Sequence, residues 1–139
     1  MTFVLDASVT LSWLFEDESN AFAEQALDLL SEEGALVPAV LWELEVANAL
    51  ALAKRKGRMP ESYQLKDMTV ILYTLPLTAE APSRGFDLLD LCEQHRLTSY
   101  DATYLALALS HRCALATLDS GLKNAARTAG VALLEDRLS

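Results

Sequence analysis

Short apolar runs alternate along this 139-residue chain with longer stretches whose apolar residues recur at helical spacing. That alternation restricts the possible folds more than any other feature. Phe3-Val4-Leu5 and Ala35-Leu36-Val37 have the uninterrupted apolar character of short strands buried on both faces. Cys113 to Thr117 and Val131 to Leu134 repeat it late in the chain. Leu75-Pro76-Leu77 fits a short edge strand, because proline cannot donate to a ladder. Between these runs, helices are expected over residues 7–15, 21–30, 39–56, 63–73, 81–95, 101–112 and 120–128. Arg58-Met59-Pro60-Glu61 reads as a turn, and Gly130 closes the last of these helices at a C′ position. Strands separated by helices imply crossover connections. The expected fold class is therefore α/β, a three-layer sandwich with a mostly parallel central sheet flanked by helices.

Half of the residues are hydrophobic (52%) and there is neither an internal repeat nor a linker rich in Pro, Gly or Ser, so residues 1–139 read as one domain with its own core. No stretch approaches the ~20 apolar residues of a membrane span. The opening Met1-Thr2-Phe3-Val4-Leu5-Asp6 lacks a basic segment and reaches a carboxylate after five residues. A cytoplasmic protein with no membrane contact is expected. Cys92 and Cys113 lie within apolar patterns and are read as small hydrophobes in a reducing compartment. With His95 and His111 they lack the second ligand pair that a zinc site needs, and neither histidine receives a role.

Charge is unevenly distributed. Residues 1–53 hold ten acids and no Lys or Arg, and the net charge of the chain is −9. A protein that coats duplexes needs a basic footprint, so sequence-general DNA binding is disfavoured. The one basic run, Lys54-Arg55-Lys56-Gly57-Arg58, suits a solvated helix C-terminus, where cations complement the macrodipole and Gly57 supplies the stop; a phosphate contact is the alternative.

Four carboxylates fall where an α/β fold gathers functional groups, beyond the carboxyl ends of its strands. Asp6 closes the first strand and Asp119 follows the run ending at Thr117. Asp101 begins a helix, and Glu45 lies on the helix after the second strand. Clustered carboxylates repel and raise one another's pKa unless a cation neutralises them, and Mg²⁺ or Mn²⁺ prefers such oxygen ligands. A bound ion of this kind can activate water and stabilise charge on a transferring phosphoryl group, which lets an acidic protein act on a polyanion. Simpler roles exist for some of these acids. Asp119 before Ser120-Gly121 suits an N-cap, and Asp101 suits a helix dipole. Asp6 is harder to explain structurally, since ending a buried strand on a carboxylate is costly without a partner. Glu43 and Glu45 point to nearly opposite sides of their helix, and spacing does not choose between them.

Taken together, these segments resemble the VapC family of PIN-domain nucleases. The resemblance runs through Val4-Leu5-Asp6-Ala7-Ser8-Val9, the segment from Val37-Pro38 to Glu45-Val46-Ala47-Asn48, the segment Leu97-Thr98-Ser99-Tyr100-Asp101-Ala102, and Thr117-Leu118-Asp119-Ser120-Gly121, covering nearly the whole chain in order. Residues 54–80 match least specifically. The resemblance selects Glu45 over Glu43 and implies a metal-binding catalytic set of Asp6, Glu45, Asp101 and Asp119 for Mg²⁺ or Mn²⁺. It gives Ser8, Asn48 and Thr117 as hydrogen-bonding supports. It implies hydrolysis of RNA phosphodiesters by the toxin of a toxin–antitoxin pair, held inactive by a VapB-like antitoxin and commonly homodimeric. The acidity of residues 1–53 suits a basic partner. Other readings are a housekeeping PIN-type RNA-processing nuclease and a catalytically silent PIN-fold binding module. A phosphatase with a nucleophilic Asp6 is disfavoured, because Ser8 stands where such enzymes carry a second aspartate.

Overall fold

A computed structural model describes residues 2–59, 64–82 and 84–139. Four short strands, β1 (Phe3–Leu5), β2 (Ala35–Pro38), β3 (Leu77–Glu80) and β4 (Ala114–Ala116), form a single sheet in the order β3-β2-β1-β4, and every neighbouring pair is parallel. The helices are α1 (Ala7–Leu14), α2 (Ala21–Glu33), α3 (Leu41–Arg55), α4 (Leu65–Tyr73), α5 (Gly85–His95), α6 (Ser99–His111), α7 (Ser120–Thr128) and α8 (Leu134–Leu138). The expected α/β class is the one observed. All residues of β1, β2 and β4 are buried, which is why their sequences are apolar throughout rather than alternating. α1 packs on α2 and α3, while α6 packs on β1, β2 and β4 between α5 and α7.

Several local features follow from single residues. Gly34 leaves α2 at φ +75°, and a Cβ there would stand 3.0 Å from the Pro76 carbonyl oxygen; only glycine lets β2 start beside that carbonyl. Trp42 Nε1 donates to Thr10 Oγ1 at 3.1 Å in the interior and ties α3 to α1. Trp13 Nε1 donates to the Ala23 carbonyl at 2.6 Å and ties α1 to α2. The basic run takes the structural role expected of it. Lys54 and Arg55 occupy the last turn of α3, Gly57 follows at φ +72°, and Arg58 pairs with Asp17 at 3.1 Å and Glu18 at 2.9 Å while lying over the Phe15 ring.

Several expectations need adjustment, among them the helix expected from residue 81, which begins at Gly85. The edge strand begins at Leu77, after Pro76, because the Pro76 carbonyl accepts from Ala35 N–H and the ladder starts only beyond it. The run 131–134 contributes one bridge, Leu133 to Leu115, and the chain then turns into α8. There Glu135 and Asp136 occupy the first helical turn, and Glu135 is ion-paired to Lys123 of α7 at 3.1 Å. α6 starts at Ser99 rather than Asp101, because the Thr98 hydroxyl accepts from Asp101 N–H at 3.2 Å and serves as the N-cap. The turn through Pro60 and Glu61 and the helix start at Tyr63 lie outside the described residues.

α3 begins with an unusual turn. Val40 has φ +70° and ψ −50°, and Leu41 N–H donates back to the Ala39 carbonyl at 2.8 Å, which makes a γ-turn of the rare, strained hand with a β-branched residue at its centre. The Val40 side chain is 69% exposed and gains little packing there. Relief of about 1–3 kcal/mol of strain outweighs the ~0.5–1 kcal/mol that glycine loses in backbone entropy. Val40→Gly is therefore expected to raise unfolding stability by about 1 kcal/mol in a chemical denaturation curve; a stability below wild type would show that the turn is not strained.

Candidate active site

In this sheet the chain runs outward from β1 to β2 to β3 and then returns to place β4 on the other side of β1. β1 and β4 therefore flank the switch point, where diverging connections leave a crevice at the carboxyl ends of the strands. The two strands end level, with Leu5 opposite Ala116, and Asp6 N–H continues the ladder to the Ala116 carbonyl at 3.0 Å. That register sets Asp6 beside Thr117, and Asp119 follows two residues later.

Asp6 is only 6% exposed. Its Oδ2 accepts from Ser8 Oγ at 2.5 Å and from Thr117 Oγ1 at 2.7 Å. These hydroxyls are held in turn by main-chain donors: Leu118 N–H donates to Ser8 Oγ at 2.9 Å and Asp119 N–H to Thr117 Oγ1 at 3.1 Å. Burial pushes the Asp6 carboxyl above the ordinary range, the bonds from Ser8 and Thr117 pull it down, and the nearby Asp119 charge pushes it up again. Asp101 stands half-buried in the first turn of α6; burial first, then Asp119 and Asp6, raise its carboxyl. Glu45, half-buried on α3, is raised by burial, lowered by a bond from the Tyr104 hydroxyl, and raised by Asp6 and Asp101. Asp119 is exposed and caps α7, its Oδ2 accepting from Leu122 N–H at 2.8 Å. Its capping role and its place in the cluster coexist.

The structure thus brings the four acids together from four separate segments, Asp6 and Asp101 lying within Coulomb reach of Asp119 and of each other, and Glu45 within reach of Asp6 and Asp101. It also separates the two glutamates of α3. Glu43 is exposed and accepts from the Tyr73 hydroxyl of α4 at 2.5 Å, whereas Glu45 accepts from Tyr104 at 2.6 Å. Ser8 and Thr117 lie on Asp6. Asn48 is exposed on α3, and among the described residues no hydrogen bond joins it to the acids. A cavity of about 510 Å³ lined by Trp13, Leu27, Met68, Ile71 and Leu72 touches none of the four acids. Cys113 is buried, Cys92 half-buried, and both are free. Among the described residues no helix is long and apolar enough to cross a membrane.

Residues 3–128 match the family model of the PIN domain. The chain belongs to the PIN domain family. Its fold is of the nuclease type, in general metal-dependent. The chain is similar over 99% of its length to 93% of the crystal structure of PAE2754 from Pyrobaculum aerophilum, with a TM-score of 0.70 and 21% identity, a likeness of fold. Comparison with curated proteins gives no match.

The donor set of this PIN domain fits a hard divalent cation in its chemistry, being entirely carboxylate and destabilised by its own repulsion. Among the described residues, no three Asp, Glu, His or Cys side chains converge closely enough to hold an ion as they stand. Tyr104 is the site-lining residue that sequence reasoning missed. Tyr104 is fully buried on α6, whereas Tyr100, one turn earlier, is exposed, and a buried hydroxyl must have a partner. Burial, then the Asp6 and Glu45 carboxylates, push its pKa far up, so it stays a donor.

Raised carboxyl values mean that the folded chain holds these protons more tightly than the unfolded chain. Metal-free stability then declines as pH rises through the carboxylate range and stays reduced above it. Asp101→Asn is expected to melt a few degrees above wild type in EDTA at neutral pH, at roughly 4 °C per kcal/mol for a domain of this size. The gap is expected to close as pH falls below the ordinary aspartate range. A variant melting at or below wild type at neutral pH would mean that Asp101 is not under repulsion from its neighbours.

Proposed function

We propose that residues 1–139 act as one metal-dependent endoribonuclease domain and serve as the toxin of a VapBC-type toxin–antitoxin pair. The observation that carries the reading is the meeting of four acids at the switch point of a PIN sheet, three of them with carboxyl values raised by burial and by one another. Asp6 and Asp101 are the direct ligands for Mg²⁺ or Mn²⁺. Glu45 and Asp119 complete the shell directly or through water, or orient the attacking water. When bound, the ion supplies the positive charge and Lewis acidity that phosphodiester hydrolysis needs.

The chain's own residues do the rest. Ser8 and Thr117 hold the Asp6 carboxylate by two hydroxyl bonds and leave its other oxygen out of those bonds. The four acids also repel a bare polyanion, so RNA approaches productively only once that charge is neutralised. Hydrolysis proceeds without a covalent enzyme intermediate and without a histidine; His111 ends α6, at the opposite end from Asp101. The ten acids of residues 1–53 suit a basic segment of a VapB-like antitoxin laid over the site, and the active species is a cytoplasmic homodimer.

Purified, antitoxin-free protein incubated with total RNA is expected to yield discrete fragments with Mg²⁺ or Mn²⁺ and none with EDTA. Asp101→Asn is expected to slow cleavage at least about 100-fold, since it removes a charged ligand while keeping shape. Fragments unaffected by EDTA and by the substitution would refute the assignment.

A further inference from the structure

We propose that Tyr104 is a positioning residue whose buried hydroxyl sets where the Glu45 carboxylate stands relative to Asp6 and Asp101, and thereby how tightly the acids take a divalent cation. This rests on the metal-dependent reading above.

Two acid-bearing helices, α3 with Glu45 and α6 with Asp101, are joined at this one oxygen. The hydroxyl donates to Glu45 Oε1 of α3 at 2.6 Å. Tyr104 itself lies three residues after Asp101, on the same side of α6. The ring is fully buried and cannot swing away.

Glu45 has no such restraint of its own. It is half-buried on a helix whose neighbouring positions Leu44 and Ala47 are exposed, and among the hydrogen bonds of the described residues only Tyr104 holds its carboxylate. Repulsion from Asp6 and Asp101 drives it outward, and the hydroxyl bond resists that displacement. A phenylalanine would fill the same space and supply no such restraint. The hydroxyl therefore orients a ligand without touching the ion or the substrate, as outer-shell partners of metal sites do.

The test is a double-mutant cycle read by calorimetric titration of Mn²⁺ into wild type, Tyr104→Phe, Glu45→Ala and the double variant, with folding checked by circular dichroism. Tyr104→Phe is expected to weaken Mn²⁺ binding about 10-fold. In the Glu45→Ala background the same substitution is expected to change affinity less than about two-fold, because its effect passes through Glu45. Wild-type affinity in Tyr104→Phe, or an equal loss in both backgrounds, would overturn the proposal, the latter marking a purely structural role. Should Tyr104→Phe fail to fold, Tyr104→Met, which also lacks the hydroxyl, takes its place in both backgrounds; a loss confined to the background that keeps Glu45 supports the role, and wild-type affinity or an equal loss in both overturns it. If wild type takes up no Mn²⁺, the metal-dependent reading fails and takes this role with it. If wild type binds and Tyr104→Phe binds equally, only the role of Tyr104 is lost.

Discussion

Asp6 is a nearly buried carboxylate at the end of a strand with neighbours on both sides, and much of the surrounding chain accommodates that charge. Two hydroxyls donate to one of its oxygens, and each hydroxyl is itself held by a main-chain N–H of the segment leaving β4. The arrangement depends on register. With Leu5 opposite Ala116, the next residue of each strand lies side by side, so Thr117 reaches Asp6. A slip of one residue would turn Thr117 to the opposite face and leave the carboxylate unpaired in the interior. Sheet pairing and the hydrogen bonding of Asp6 are therefore a single constraint, and the small hydroxyl residues Ser8 and Thr117 carry it.

Much of this was legible in the sequence because burial and chemistry left separate marks. β1, β2 and β4 show as unbroken apolar runs, since sheets covered on both faces tolerate no alternation, and Asp6 and Asp119 stand out just beyond two of those runs. The less legible features were those decided by tertiary contact. Val131 to Leu134 is apolar enough for a strand, but ion pairs from α7 to Glu135 favour a helix from Leu134 onward. The start of α6 was set by a side-chain cap from Thr98, which apolar periodicity does not register. Glu43 and Glu45 are equivalent by spacing; the structure distinguishes them by their partners, Tyr73 on the surface and Tyr104 in the core. Tyr104 was hidden because an aromatic within an apolar helix reads as packing, and only its hydroxyl's need for a partner pointed elsewhere.

Net charge alone would have been a poor guide to the site. Ten acids precede residue 54, and the two among them that join the cluster, Asp6 and Glu45, have carboxyl values pushed upward where water is partly excluded. Exposed acids such as Asp28 and Glu32, on α2, face water, which screens like charges. What marks the cluster is desolvation combined with like charge, a condition that a fold sustains only if a compensating cation or a structural necessity accompanies it.

The same logic connects the cluster with the strained turn at Val40. Both reduce the stability of the chain, and both stand at the carboxyl ends of parallel strands, β1 and β4 for the acids and β2 for the turn. The turn sends the chain from Pro38 into α3 within two residues, and α3 then carries Glu45 toward the acids on its first turns. A relaxed, longer connection would start the helix further from β2 and alter where Glu45 stands. The Tyr104 bond along α3 holds that carboxylate directly, whereas the turn fixes only where the helix begins. A glycine could make the same turn and a phenylalanine could fill the core, so packing alone explains neither feature.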